Sequence, residues 1–395
     1  MTEEPILTRA VVVRPSVVRA IVYGIAGFQV LQAATIPVSG FLKSYWVVDY
    51  DHGFVRRGLL GAMLRAISGS PTDRTLVVAT CVLAGLGVVA LMCVAEVLIR
   101  AGSPRSCALA ILLVSSPFGV DYVVFQRRPD QLGLVMLVAL GMGLRRFREQ
   151  SFRLCLVVGV CFAVLMFAHE GILFEALPFA MLLVVVVARD AGEGGGNPVM
   201  SSVLALAVPA VAAGVFIAIF GTASSQTVAA LKASANGVPL GPTNALDYLD
   251  DSVGTSLRLV ADQSRGTQLA CIVVGTVLAA VHLSWLRAAD VVARVRLRAA
   301  AIAVRRAVIV IAVSAVAILF AVGIDWMRWF ACVGCALLVV VSFGLLAQEN
   351  ATDAVPSREL SMRPLVLLGG LYLAALTPLP DSVLSGEILR ALLPW

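Results

Sequence analysis

The sequence predicts an all-α, polytopic membrane protein with about 11 transmembrane helices, within a range of about 10–12. Three observations predict it. Of the 395 residues 60% are apolar and 14% charged, against a charged share of about 25% in soluble domains, and the mean hydropathy is +0.95. Apolar runs of about 17–25 residues recur from end to end, enough to cross a hydrocarbon layer of roughly 30 Å. These runs are continuous rather than alternating with period two, which selects helices over a barrel.

Arg9, Arg14 and Arg19 precede the first run, Ile21 to Pro37, so the positive-inside tendency puts the N-terminus in the cytoplasm. That run lacks a small-residue cleavage site and is expected to remain as a span rather than leave as a signal peptide. Residues 38–74 then form a first extracytoplasmic loop, in which Phe54 to Ile67, apolar with arginines at 56, 57 and 65, suits an interfacial helix. Further spans are expected at 75–99, 108–124, 132–144, 154–168, 172–187 and 203–220. The glycine-rich Gly192–Gly196 stretch lacks the Gly-Lys-Ser/Thr of a nucleotide loop and reads as a flexible cytoplasmic turn.

The longest polar segment, 222–268, is long enough to fold over a site as a lid. Spans at 269–286, 307–324, 330–346 and 365–376 complete a single transmembrane domain over 1–395. With this topology 18 of the 30 basic residues fall inside and 12 outside, the expected sense of the bias. The net charge of +6 comes from arginines in short loops, where orientation explains them and nucleic acid does not. Most of the eight cysteines lie in apolar runs and read as helix-packing residues, Cys332-x-x-Cys335 included.

The functional signal is convergence. Asp49, Asp51, His52, Arg56 and Arg57, then Asp121, Arg127, Arg128 and Asp130, then His169 and Glu170, then Asp325 and Arg328 all emerge at the outer ends of spans. Ionisable groups in or near a bilayer are costly unless they pair or line a polar cavity. Asp325 can pair with Arg328 at i,i+3, and Asp130 with Arg127 or Arg128. Arg56 and Arg57 are expected to diverge as helical neighbours do, leaving one guanidinium over. Such a planar, permanently charged fork suits phosphate. Asp49 or Asp51 can take a proton from a sugar hydroxyl, and His169, Glu170 or Glu175 can serve an acceptor. Asp49-x-Asp51 beside His52 offers ligands to a divalent metal, but Gly53-Phe54-Val55 adds no further oxygen, so no cofactor is firmly implied. Each feature also has an ordinary reading: internal ion pairs, a helix-terminal acid for Glu170, and an interfacial aromatic belt for Trp326 and Trp329.

In this layout the chain resembles the GT-C class of integral-membrane glycosyltransferases. The resemblance rests on many spans, acidic residues in the first extracytoplasmic loop, and an interfacial helix after them. It implies a polyprenyl-phosphate-linked sugar donor, a glycan or glycolipid acceptor, a catalytic acid at Asp49 or Asp51, and phosphate contacts from Arg56, Arg57 or Arg128. It further implies a bacterial inner membrane and a role in cell-envelope polysaccharide or glycolipid assembly. The phrase Phe54-Val-Arg-Arg-Gly-Leu-Leu-Gly61 looks more like bacterial polytopic proteins of surface-polysaccharide assembly, which keeps a polymerase of lipid-linked repeats in view. Two readings of other classes compete. A transporter or flippase predicts charge at mid-membrane, and the span centres carry almost none; a non-catalytic envelope subunit predicts outer clusters that pair among themselves.

Overall fold

In a computed structural model of the chain, the structure describes residues 14–187, 198–235, 237–242, 244–262, 265–288, 291, 302–322 and 325–349. The expected Gly192–Gly196 turn and the expected span at 365–376 lie outside them. Among the described residues the protein is helical, without strands.

α1 (Pro15–Ala34) opens on a proline at its first turn, where the missing N–H costs nothing. α2 (Gly40–Ser44) and α3 (Gly58–Ser68) follow in the first loop. α4 (Asp73–Ala101) starts on a Thr72/Thr75 capping box and stops at Gly102, whose left-handed backbone a side chain would strain.

The expected single span at 108–124 is two helices, α5 (Pro104–Ser115) and α6 (Val120–Gln126). Ser116 is extended and its hydroxyl accepts from the Phe118 N–H, while Pro117 has no N–H to offer the helix ladder. α7 (Gln131–Arg146) and α8 (Ser151–Met166) come next, and then α9 (Ile172–Glu175) and α10 (Leu177–Val187), offset where Pro178 interrupts the run.

α11 (Pro198–Phe220) runs alongside α8 so closely that a side chain at Gly159 would lie 2.6 Å from the Ala205 and Leu206 carbonyls. The remaining long helices are α14 (Arg265–Ala288), α15 (Ile302–Val322) and α16 (Trp326–Glu349). Among the described residues seven segments are long and apolar enough to cross a membrane. The expected spans at 132–144, 154–168 and 172–187 correspond to α7, to α8 and to α9 with α10, apolar but below the length of the seven. α7 and α8 have 16 residues each, about 24 Å at 1.5 Å per residue, and lean on the long helices around them.

One apolar core joins α1, α4 to α11 and α14 to α16. Polar ties mark its two ends. At one, Arg19 holds Glu96 through two hydrogen bonds of 2.9 and 3.1 Å, and Ser103 donates to Glu349. At the other, Arg127 donates to the Ala33 and Ile36 carbonyls at the end of α1.

The segment expected as a lid, 222–268, contains short helices: α12 (Ser225–Ser234), a 3-10 turn at Ala245–Tyr248, and α13 (Val253–Asp262). It packs on the first loop through a second apolar cluster of Val48, Val55, Ala223, Val228, Leu231, Leu246 and Leu249. The Ala245 N–H donates to Ser44 at 2.7 Å and the Ala223 N–H to Leu249 at 3.0 Å. The two loops form one cap over the second end of the bundle.

Candidate functional site

Beneath this cap the separate charged stretches meet. The 167–171 turn between α8 and α9 presents His169 and Glu170, the turn after α6 presents Arg128 and Asp130, and the head of α16 presents Asp325 and Arg328. Residues far apart in sequence thus share one polar layer.

Glu170 is the acceptor at its first part. Arg57 Nε lies 3.0 and 2.9 Å from the two Glu170 oxygens, and Arg56 Nη1 lies 3.9 Å from the same carboxylate. The expected divergence of the two arginines does not occur, because Arg57 is not helical: it caps α3 at φ 65°, ψ 10°, in the left-handed region. A non-glycine residue held there is strained by about 1–2 kcal/mol. Burial works against the Arg57 charge, but the Glu170 carboxylate outweighs it and holds Arg57 above its ordinary range. Burial likewise favours neutral Glu170, and Arg57 overrides it, keeping the acid well below the usual carboxylate range. Arg56 is drawn down by burial and also donates to the Tyr248 carbonyl and, at 3.1 Å, to that of Asp251.

The second part is a chain of ion pairs. Arg128 reaches Asp325 at 3.0 Å, and Arg328 bridges Asp325 at 3.0 Å and Asp130 at 2.6 Å. Asp130 thus pairs with Arg328 rather than with Arg127 or Arg128. The reason is again a left-handed residue: Arg127, at φ 48°, turns its guanidinium back to the carbonyls of Ala33, Ile36 and Val124 and sends Arg128 the other way, over Phe41. Asp121 is buried in the first turn of α6.

His169 lies between the two parts. It is 3% exposed, and its ring centre is 5.9 Å from that of Tyr45. Burial lowers its pKa to about 4, so it is neutral at pH 7. Its Nδ1 accepts the Gly171 N–H at 3.1 Å, which leaves the ring proton on Nε2. In this state His169 is a hydrogen-bond donor.

Asp49 and Asp51 are set apart from this layer and share a different arginine. Arg65 from α3 lies 2.6 Å from Asp49 and also binds Asp51, while the Asp51 N–H donates to Asp49 at 3.0 Å. Asp49 is 2% exposed, Asp51 is half-exposed, and His52 is exposed in the same turn. Among the described residues no group of three His, Cys, Asp or Glu side chains could hold a metal ion.

Sequence reasoning underrated two residues. Glu175 is buried beside Asp130 and accepts from Cys332 Sγ at 3.7 Å. The signal was available in Arg328 and Cys332, which sit at i,i+4 on one face of α16. Tyr122 completes the set with its hydroxyl 3.4 Å from Asp130.

The profile of a family described as "Uncharacterised membrane protein Rv1490" matches residues 15–236 and 242–373. The chain is 29% identical over 162 residues to "Uncharacterized protein Rv1490" of Mycobacterium tuberculosis H37Rv and to "Uncharacterized protein Mb1527" of Mycobacterium bovis. Each alignment covers 40% of this chain and 37% of the relative, so the chain aligns with less than two fifths of these proteins' length. No solved structure matches. The family's description gives membrane residence and no activity, so the likeness to GT-C enzymes rests on layout alone. The matched segments take in every described helix from Pro15 to Glu349, and the chain belongs to the Rv1490 family of membrane proteins.

Proposed function

We propose that the chain is a membrane glycosyltransferase that takes its sugar from a polyprenyl-phosphate donor at the extracytoplasmic face of a bacterial inner membrane. One observation carries the reading. Two guanidiniums, Arg56 and Arg57, converge on the single carboxylate of Glu170, whose side chain is a quarter exposed. That arrangement leaves Arg56 without a close ion pair of its own, balanced only at longer range by Asp250 and Asp251 of the cap, at a place a lipid headgroup can approach, and Glu170 acts as a resting counter-anion that a phosphate displaces. In the reaction the acceptor hydroxyl attacks the anomeric carbon and the sugar–phosphate bond breaks. The electron pair leaves on the polyprenyl phosphate, where Arg56 and Arg57 stabilise it. The hydroxyl proton goes to Asp51, the more open of the Arg65-bound pair, and Asp49 positions the turn. His169 donates from Nε2 to the acceptor. A polymerase of lipid-linked repeats would use the same chemistry on a longer donor.

A non-catalytic envelope subunit is the second reading, and a specific observation favours it: Glu170, Asp325 and Asp130 are already matched to arginines, and the cavity beside Asp130 is water-sized. Native mass spectrometry of gently purified protein separates the two. The enzyme reading expects a co-purified polyprenyl phosphate or glycolipid that disappears in Arg56→Ala/Arg57→Ala, and sugar transfer that is lost in Asp51→Asn with expression retained. Empty wild-type protein, or lipid indifferent to the double substitution, selects the subunit. Transfer retained in both Asp49→Asn and Asp51→Asn refutes the base.

A further inference from the structure

The ion pairs beneath the cap do not balance locally. Around Arg128 and Arg328 stand three carboxylates, Asp325, Asp130 and Glu175, and the two guanidiniums are engaged by the first two. The surplus positive charge of Arg56 and Arg57 is held at Glu170 and at the cap's carbonyls. Glu175 has no ion-pair partner among the described residues. It is 1% exposed and Asp130 is 2% exposed.

The two acids share a space. Asp130 and Glu175 line one small cavity with Tyr122, Leu134, Cys332 and Cys335, and it leaves about 10 Å³ for the centre of a water-sized sphere. That is room for about one water or one ion of similar size. Glu175 Oε1 and Asp130 Oδ1, the oxygens not used by Cys332 and Arg328, have no hydrogen-bond partner among the described residues. Unpartnered buried carboxylate oxygens are costly enough that a native protein neutralises them. Cys332 and Cys335 lie at the same cavity, but among the described residues no group of three His, Cys, Asp or Glu side chains could hold a metal ion, so the site lacks the donor set of a divalent or transition metal.

We propose that Asp130 and Glu175 form a binding site for one exchangeable monovalent cation, a proton or a sodium ion, enclosed at the base of the charged layer. The cation restores the missing charge at two carboxylates, each with one oxygen that lacks a partner. With the site filled, Arg328 bonds Asp130 on its outer side and keeps its second contact to Asp325. With the site empty, two bare carboxylates compete for Arg328, and its contact to Asp325 is the one that weakens. The other ionisable groups facing the site are Arg328, Cys332 and Cys335 from α16 with Asp325 just before it, Tyr122 from α6, Arg128 from the turn after α6, and His169 and Glu170 from the turn before α9. The helices α10 and α11 carry none, and the only ones on α15 are Arg305 and Arg306 in its first two turns. This site is independent of glycosyl transfer and stands if that reading fails.

The test uses the full-length protein in nanodiscs, with denaturation followed by tryptophan fluorescence at constant ionic strength. One series replaces choline chloride by sodium chloride at fixed pH, and the other varies pH without sodium. Glu175→Gln is the control, because a carboxamide carries its own hydrogens into the cavity and needs no cation. If sodium is the occupant, the wild-type folding equilibrium constant rises up to tenfold per tenfold sodium, and Glu175→Gln is flat. If the proton is the occupant, the constant falls up to tenfold per pH unit as pH rises through the titration, again only in the wild type. An infrared carboxylic-acid band, shifted in D2O and missing from Glu175→Gln, then accompanies it. If wild type and Glu175→Gln respond alike to both ions and share the infrared spectrum, the site does not exist.

Discussion

Arg57 offers the sharpest test of how the charged layer is held, because its backbone and its side chain pull in opposite directions. A left-handed φ of 65° costs a non-glycine residue about 1–2 kcal/mol, and the ion pair with Glu170 must outweigh that. Breaking a fully buried pair costs about 3–5 kcal/mol, an exposed one below about 1. Glu170 is a quarter exposed and keeps Arg56 at 3.9 Å when Arg57 is lost, so about 2 kcal/mol is the expected loss in Arg57→Ala. Arg57→Gly loses the same pair but relieves the backbone. Less the roughly 0.4–1 kcal/mol that glycine adds in unfolded-chain freedom, it should be more stable than the alanine variant by about 0.5–1 kcal/mol. Glu170→Gln keeps the shape, leaves two guanidiniums facing each other, and should lose about 2 kcal/mol. Titration with SDS in mixed micelles ranks the three. An Arg57→Gly protein no more stable than Arg57→Ala refutes the strain argument, and a Glu170→Gln protein as stable as wild type refutes the pair.

Four further outcomes are expected. His169 binds fewer protons folded than unfolded between its ordinary pKa near 6.5 and its folded value of about 4, so its contribution is full above pH 6.5 and is lost as pH falls to 4. Integrated, this is about 3 kcal/mol, and a wild-type stability profile over that range no steeper than that of His169→Asn contradicts it. Arg65→Met strands Asp49, which is 2% exposed, at about 3 kcal/mol; adding Asp49→Asn should restore most of that in the same SDS titration. Gly61→Ala places a methyl group on the Val48 carbonyl, within 3 Å of the Trp46 carbonyl as well. It should detach α3 from the first loop, read as faster proteolysis between residues 46 and 68, with unchanged cleavage arguing against the packing. Anion capture by Arg56 should loosen the cap, so a polyprenyl phosphate should speed hydrogen exchange at the Ala223 N–H; slower exchange would mean that the cap closes on ligand instead.

Much of the fold was legible, because a bilayer forces apolar length and backbone satisfaction into each span. The N-caps of α4 and α5, Thr72 and Ser103, fall before the expected starts at 75 and 108, because an apolar run marks the interior of a span and not its polar first turn. The break at Ser116–Gly119 was not legible, since the apolar run reads straight through it. The short helices within 222–268 were hidden, because their apolar residues make sense only against Val48 and Val55 of another loop. The members of the charged layer were legible as groups that a membrane protein does not carry idly. Of their pairings the i,i+3 pair of Asp325 with Arg328 was legible; the others were not, because partner choice turned on two left-handed residues, Arg57 and Arg127, and arginine gives no sequence warning of that backbone.

These two residues explain how one layer holds both signs of surplus charge. Had Arg56 and Arg57 continued a helix, their side chains would point about 100° apart and Glu170 could meet only one of them. The left-handed turn brings both to it and leaves the positive excess under the cap, where Arg56 also ties down Tyr248 and Asp251. Had Arg127 not turned away to α1, it would have stood beside Asp130 and met the carboxylate surplus with a third guanidinium. Instead that surplus lies with Glu175, behind Arg328. The separation is maintained by two strained backbones, and strain persists only where the surroundings over-determine it. Replacing the strained residues should therefore redistribute charge in this layer more than it disturbs the helices around it.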